Sequence, residues 1–551
     1  MLMVRRIAFI VCFSVVSAAF ASAKGKNVIL MIPDGTSTSV LSLARWYQFY
    51  GDSTATQLAL DPYLCGLLRT HSSNAPIGDS APTTSCYMTG QLTQSGFVSM
   101  YPLKTDNDLV PIDAKRAYQP MTTLLEAAKS VGKGTGLVCT CEFPHATPAD
   151  CASHYYDRAN YYVLGKQMVY NHIDVVIAGG ANLLRRLQLD DDVQHLGYAL
   201  YADDKVGLLS TKAERYWGVF GDHCLPYELD RDTTRYPSLA QMTRKALQTL
   251  AKHKNGFFLM VEGSKVDWAA HANDAKTLIT EFLAFDKAVS VALDFARRDG
   301  NTVVVVLPDH GNSAISMGSR NTYPGYDRMA LTDFFDFMCD YRLSADSLTH
   351  LIRTKEDIRP VLQNCCKRTP TDEEVDELWL YKYGNHRKIS FERALTNYLY
   401  GKSPIGFTSY GHTGEDVFLA VYHPQNQLPH GLQTNRTIYA YMLDQLGLTK
   451  RYIDRMTADN FVSHRQLFAT AATQIDSTDR NNITLIVHQD NHILKVESYT
   501  DRVSIDGRCV PLGSVVVYVD KNKTFYLPRR VAYLLKQNKK WMQAIRTTNL
   551  Y

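Results

Sequence analysis

Five short apolar runs punctuate the chain: Lys26 to Ile32, Gly136 to Thr140, Ile173 to Ala178, Phe257 to Val261 and Thr302 to Leu307. Each ends at a glycine- or proline-containing turn and is followed by sequence with helical periodicity. Continuous apolar runs of this length mark strands buried on both faces, in contrast to the alternating pattern of a half-exposed strand. Their alternation with helix-like stretches predicts an α/β fold, a large and mostly parallel sheet flanked by helices on both faces. The carboxyl ends of such strands are where these folds place ligands.

Chemistry collects at those ends. The turns read Pro33-Asp34-Gly35, Pro144-His145-Ala146-Thr147-Pro148, Gly179-Gly180, Glu262-Gly263 and Pro308-Asp309-His310-Gly311. Residues kept only for solubility would scatter over both ends of the strands. Concentration of Asp34, His145, Thr147, Glu262, Asp309 and His310 at one end points to a metal cluster. Just after Glu262, Val266 to His271 opens a predicted helix on which Asp267 and His271, four apart, share a face and suit one ion. His412, in a glycine-flanked loop before the apolar run Val417 to Tyr422, is a further candidate.

The stretch Gly78 to Gly90 reads as a tight turn of small residues entering a short helix. That geometry aims the Ser80 hydroxyl and the first free N–H groups of the helix at one place, a seat for an anion. A serine hydroxyl is a weak nucleophile until a base or a metal activates it, which the strand-end cluster would supply.

Elsewhere the pattern changes twice. Residues 311–411 read as a helical insertion capping or flanking the site, with helices at Leu331 to Tyr341, Ser347 to Arg353, Glu373 to Tyr381 and Phe391 to Leu399. Residues 479–551 read as a small β-rich module. Its expected strands are Ile483 to Val487, His492 to Ser498, Arg502 to Ile505, Ser514 to Val519 and Thr524 to Leu527, and a helix from Arg529 to Trp541 closes it. The catalytic unit thus spans 24–478. Arg5-Arg6, the apolar run Ile7 to Phe20 and Ala21-Ser22-Ala23 have the layout of a signal peptide over 1–23, implying export to a periplasm or cell exterior and no transmembrane anchor after cleavage.

Composition narrows the classes. The net charge of +4 on 551 residues gives no case for a nucleic-acid-binding module. Eleven cysteines, ten after loss of Cys12, permit disulfides in an oxidising compartment. Cys139-x-Cys141 and Cys365-Cys366 lack the spacing of structural zinc sites and are assigned to packing or bridging.

With these residues assembled, the chain resembles the alkaline phosphatase family from Lys26 to Pro424. The resemblance rests on Asp79-Ser80-Ala81 through Thr89-Gly90, on His145-Ala146-Thr147-Pro148 with Arg158 thirteen residues beyond its first residue, and on Val261-Glu262-Gly263 followed by Asp267 and His271. Asp309-His310 and His412-Thr413-Gly414 complete it in the family's order. It implies two zinc ions, one on Asp267, His271 and His412 and one on Asp34, Asp309 and His310. It also implies a magnesium ion facing Asp34, Thr147 and Glu262. Ser80, also in contact with a zinc, would carry a phosphoserine intermediate, Arg158 would clamp the phosphoryl group, and the substrates would be small phosphate monoesters with broad leaving-group tolerance. A homodimer is the implied assembly. In two places the chain departs from some members: His145 replaces an aspartate, leaving open whether it meets magnesium directly or through water, and Trp268 replaces a lysine or histidine beside the substrate. A phosphodiesterase or sulfatase of the same superfamily is the alternative reading, and a non-catalytic phosphate- or metal-binding surface protein is a more distant one.

Overall fold

The computed structural model describes residues 25–383, 389–489 and 492–536. The expected signal peptide and the end of the expected C-terminal helix lie outside them. A ten-stranded sheet organises the molecule, in the order Gly431–Thr434, Leu64–Arg69, Val417–Tyr422, Thr302–Val306, Asn27–Pro33, Phe257–Gly263, Gly134–Glu142, Val175–Gly179, Tyr216–Phe220 and Ala199–Ala202. The expected α/β architecture is therefore present, and its central strands are buried along their whole length. Successive residues of Asn27–Pro33 feed opposite cores: Val28, Leu30 and Ile32 pack on one face, Ile29 and Met31 on the other. Helices Leu124–Ser130, Tyr161–Tyr170 and Asn435–Gln445 contribute to the first core, and Leu239–Leu250 and the long Ala275–Asp299 to the second.

Val417–Tyr422 runs against the other nine strands, pairing antiparallel with both Leu64–Arg69 and Thr302–Val306. This reversal matters for the site. Parallel strands deliver the residues that follow them to the carboxyl end of the sheet, whereas the reversed strand delivers what precedes it, and His412 precedes it. Register completes the gathering by pairing Ile32 and Cys139 each with Glu262.

Residues 311–411 contain the four expected helices, as Leu331–Cys339, Ala345–Leu351, Asp372–Tyr383 and Phe391–Tyr400, and a fifth, Ile358–Cys366, that the sequence reading did not anticipate. Pro360 stands in its first turn, where a missing N–H costs nothing. Toward the C-terminus a five-stranded antiparallel sheet runs Ala472–Asp476, Thr484–Gln489, His492–Glu497, Arg502–Ile505 and Arg508–Pro511. Its first strand lies ahead of residue 479. A three-stranded sheet joins Val462–Ser463 to Thr524–Leu527 and Val517–Val519. All ten cysteines among the described residues are free thiols, so none of the disulfides their even number permits is formed. Cys139, Cys141 and Cys366 are buried in packing.

Candidate active site

Asp34 leaves the first strand in a turn that depends on Gly35. Gly35 has a φ of +54°, and a Cβ there would lie 2.0 Å from Asp267 Oδ1, so only glycine fits. Its N–H donates to Asp309 Oδ1 at 3.0 Å, joining the ends of two adjacent strands. Ser80 begins the buried helix Ser80–Thr89, with extended Asp79 at its N-cap and left-handed Gly90 at its C-cap. Tyr87 on that helix donates to the Pro308 carbonyl at 2.9 Å, fixing the helix to the strand end that bears Asp309 and His310. Ser80 is 2% exposed.

Ser80 Oγ lies 3.4 Å from Asp34 Oδ1 and 3.3 Å from His310 Nε2. The His310 Nδ1 meets the Gly311 carbonyl at 3.1 Å and must donate to it, which leaves Nε2 bearing a lone pair. Burial and the neighbouring His412 push the His310 pKa down to about 3, so the ring is neutral. Its Nε2 nevertheless faces Asp34 Oδ1 at 3.4 Å and Asp309 Oδ2 at 3.5 Å. A lone pair among carboxylate oxygens is a cation site or a proton store.

The same signature appears beside it. His271 Nδ1 donates to the Tyr410 carbonyl at 2.7 Å and His412 Nδ1 to the Gly78 carbonyl at 3.0 Å, so each ring is left with a bare Nε2. These two Nε2 atoms face each other at 3.1 Å, with Asp267 Oδ2 3.5 Å from the first and Asp267 Oδ1 3.8 Å from the second. In neutral rings two facing lone pairs repel at that separation, and a cation between them removes the repulsion. Asn312 Nδ2 donates to Asp267 Oδ1 at 2.7 Å and orients it. The sequence reading had not picked out Asn312, although it stands two residues beyond His310. From the insertion, Arg393 Nε donates to the His271 carbonyl at 3.1 Å.

A third group brings a nitrogen of His145 and oxygens of Asp34 and Glu262 within 4.8 Å of one another. Asp34 Oδ2, Asp309 Oδ2, Glu262 Oε1, Thr147 Oγ1 and His145 Nδ1 are buried with no hydrogen-bond partner. Cys141 Sγ lies 3.4 Å from Glu262 Oε2, a contact the sequence reading missed. Burial raises Glu262 to about 8; it also raises Asp34 well above the carboxylate range, reinforced by Asp309, Asp267 and Glu262. None of the carboxylates of Asp34, Glu262, Asp267 and Asp309 is paired with a lysine or arginine among the described residues. Four such groups in one buried space require cations or protons, because unpaired buried charge costs several kcal/mol per group. The donor sets therefore fit metal ions.

At the mouth, Arg158 Nη1 donates to Asp79 Oδ1 at 2.5 Å and Nη2 to His145 Nε2 at 3.2 Å. Burial alone would raise the Asp79 carboxyl, but the charge of Arg158 beside it holds it at about 2. The Trp268 ring stands edge-on to His145, with centroids 5.9 Å apart, and the buried Lys265 ammonium lies 5.2 Å from the indole. The candidate site residues Asp34, Ser80, His145, Thr147, Arg158, Glu262, Asp267, Trp268, His271, Asp309, His310 and His412 thus gather at this one end of the sheet.

Comparison with known proteins adds the family. A family model described as alkaline phosphatase matches residues 25–448. Alkaline phosphatase 3 of Bacillus subtilis (strain 168) is 32% identical over 429 residues, which is 75% of this chain and 87% of the relative. The repressible alkaline phosphatase of Saccharomyces cerevisiae is 29% identical over 454 residues, covering 73% of this chain and 76% of the relative. The structure of the cold-active alkaline phosphatase from the psychrophile Shewanella sp. superposes with a TM-score of 0.65 at 27% identity, covering 76% of this chain and 99% of that one. The Thermus thermophilus alkaline phosphatase shares the fold with a TM-score of 0.68 at 24% identity, covering 77% and 92%. Fold and sequence together define a hydrolase of phosphate monoesters. The chain belongs to the alkaline phosphatase family.

Proposed function

We propose that the chain hydrolyses phosphate monoesters through a phosphoserine at Ser80, in a centre that holds two zinc ions and one magnesium ion. The observation that carries this reading is the Ser80 hydroxyl, at the first position of a buried helix, within 3.4 Å of both Asp34 and the bare Nε2 of His310. Asp267, His271 and His412 would hold one zinc, and Asp34, Asp309 and His310 the other, a set of imidazoles and carboxylates that suits zinc. Asp34, Thr147 and Glu262 would hold magnesium, which favours oxygen ligands, and His145, whose Nε2 accepts from Arg158 and whose Nδ1 therefore carries the proton, would meet it through water. Bound there, the cations supply the positive charge that lowers the pKa of the serine hydroxyl and of attacking water and stabilises the departing oxygen.

The chain's own groups perform the transfer. Ser80 Oγ loses its proton and forms a bond to phosphorus as the ester P–O bond breaks and the alcohol leaves. Water then cleaves the Oγ–P bond, restoring Ser80 and releasing inorganic phosphate. First-turn N–H groups at Ser80 and Ala81 have no acceptor one turn back, so they are free to bind phosphoryl oxygens. Arg158, held by Asp79 behind it, adds a planar guanidinium to the same group. Recognition confined to the phosphoryl group leaves the leaving group loosely specified.

Hydrolysis of an aryl phosphate monoester, the matching diester and an aryl sulfate by the protein supplied with zinc and magnesium tests this reading, with Ser80→Ala as control. Strong monoester preference, abolished by the substitution and by chelator, is expected; preference for diester or sulfate would overturn it. Export follows from the signal-peptide reading, and no helix among the described residues is long and apolar enough to cross a membrane. A homodimer is proposed too. Leu67 and Leu432, register partners on neighbouring strands at one edge of the sheet, are 44% and 50% exposed, an apolar strip for a second copy to cover.

A further inference from the structure

The β-rich region lies beyond the family match, which ends at residue 448, yet it touches the segment that bears Arg158. Residues 151–160, between helices Ala146–Asp150 and Tyr161–Tyr170, form no helix or strand of their own beyond a bridge at Tyr155. Their position is therefore set from outside. Part of that hold is local: Tyr155 and Val98 exchange backbone hydrogen bonds at 2.8 and 3.0 Å, and the Arg158 N–H donates to the Gly96 carbonyl at 2.9 Å. Residues 96–98 lie outside any helix or longer strand, so this hold rests on a loop.

Buried side-chain hydrogen bonds hold residues 151–154, Ser153 Oγ donating to the Leu164 carbonyl at 2.9 Å and His154 meeting Ser99 and Glu126 at 3.0 Å. The side chains of Tyr155 and Tyr156, nearer Arg158, are instead held by the turn after strand Val517–Val519. Asp520 Oδ1 accepts from the hydroxyls of both Tyr155, at 3.0 Å, and Tyr156, at 2.7 Å. Lys521 Nζ lies 5.6 Å from the Tyr156 ring centroid. Tyr499, also from this region, packs edge-on against Tyr155 with centroids 6.2 Å apart, its own hydroxyl tied to the Tyr518 carbonyl at 3.0 Å. The same region grips the helix that follows Arg158. Lys166 Nζ bonds Glu497 at 2.8 Å and Asn482 at 2.7 Å, and His172 Nε2 meets Asp501 at 2.9 Å. The chain on either side of Arg158 is thus mounted on the β-rich region.

We propose that the C-terminal β-rich region is a brace for the phosphate-binding arginine, and that Asp520 is its positioning residue, fixing Arg158 through the hydroxyls of Tyr155 and Tyr156. The proposal rests on the reading above that Arg158 binds the phosphoryl group. Asp520 does not meet substrate. It fixes where the guanidinium waits, and a guanidinium free to wander loses orientation toward the phosphoryl oxygens.

The test uses the full-length, metal-loaded protein and inorganic phosphate as the probe. Tyr155→Phe/Tyr156→Phe keeps both rings and removes only the donors, and Asp520→Ala removes the shared acceptor. Each is expected to raise the inhibition constant of phosphate and the KM about tenfold, the scale of lost hydrogen bonds to a charged group, with kcat changed less. Asp520→Asn, which retains an oxygen acceptor, restores most of the loss. In an Arg158→Ala background, Asp520→Ala adds nothing. The brace is wrong if the double tyrosine variant leaves the inhibition constant unchanged, or if Asp520→Ala costs as much without Arg158 as with it. Should Arg158→Ala itself leave phosphate inhibition unaltered, the site reading fails first and takes the brace with it. An effect of Arg158 with Asp520 and the tyrosines inert removes the brace alone.

Discussion

Arg158 Nη1 sits 2.5 Å from Asp79 Oδ1, and Asp79 is the residue immediately before Ser80. Guanidinium and hydroxyl are thereby tied to one turn of chain. On the proposed role of Arg158, Arg158→Ala would remove charge-assisted hydrogen bonds to the phosphoryl group and is expected to lower kcat/KM about 100-fold. Asp79→Asn keeps a hydrogen-bond acceptor but removes the ion pair, and its effect is smaller. Steady-state kinetics with a monoester, and phosphate inhibition alongside, measure both; equal losses would mean that Asp79 contacts substrate itself.

On the proposed assignment, removing the cations should cost stability as well as activity. Without an ion, two neutral imidazoles at His271 and His412 would face each other lone pair to lone pair at 3.1 Å, and burial favours protons on Asp34, Glu262 and Asp309. Ligands present at about a thousand times their dissociation constant stabilise by about 4 kcal/mol per site. Calorimetry with and without chelator is expected to show a fall in Tm that zinc and magnesium reverse. His412→Ala should bind one equivalent of zinc less by metal analysis, and an unchanged count would displace His412 from the ligand set.

Trp268 places a neutral ring where the family resemblance implies a lysine or histidine. Its indole abuts His145, which itself meets Arg158, so a cation in its place would act on the phosphoryl group. Trp268→Lys is expected to tighten inhibition by inorganic phosphate about tenfold, on the scale of one added charge–phosphate contact. The buried Lys265 nearby opposes a second ammonium, so the same variant should melt at a lower temperature. An unaltered inhibition constant would show that charge at this position is immaterial.

Away from the candidate metal sites, Glu281 carries a pH dependence. Burial raises its pKa from 4.5 to about 7, only partly offset by Lys265 and by the Glu228 N–H that donates to it. The folded protein then binds more protons than the unfolded chain between these values. Its contribution to stability is full below pH 4.5 and is lost as pH rises through about 7. A rise of about 2.5 corresponds to about 3 kcal/mol. Denaturant unfolding of Glu281→Gln against the parent from pH 5 to 8, at fixed metal, should show the variant gaining relative stability as pH rises. A constant difference would remove Glu281 as the cause.

What was legible in the sequence follows from what is local. The buried strands announced themselves as apolar runs, and Val417–Tyr422 matches its run to the residue. Its direction was not legible, because reversal is decided by pairing with Thr302–Val306 and Leu64–Arg69. Helix Ile358–Cys366 was hidden by Pro360, and strand Ala472–Asp476 by exposed polar residues without alternation. The donor residues stood out by type and position. The tethers did not: Asp79 and Arg158 are 79 residues apart, and the carbonyls of Gly78, Gly311 and Tyr410 that fix the histidine tautomers are main chain, which no residue type reveals.

The donors of each cation site come from distant stretches. Asp34 must meet Asp309 and His310, while Asp267 and His271 must meet His412 across the reversed strand. No site takes more than two ligands from one stretch, so the loop closures that form the sheet come before any complete site exists. Ion capture then falls after the folding barrier. On the proposed assignment, zinc and magnesium would leave the folding rate nearly untouched and act on the reverse step, as a latch that lengthens the lifetime of the native state.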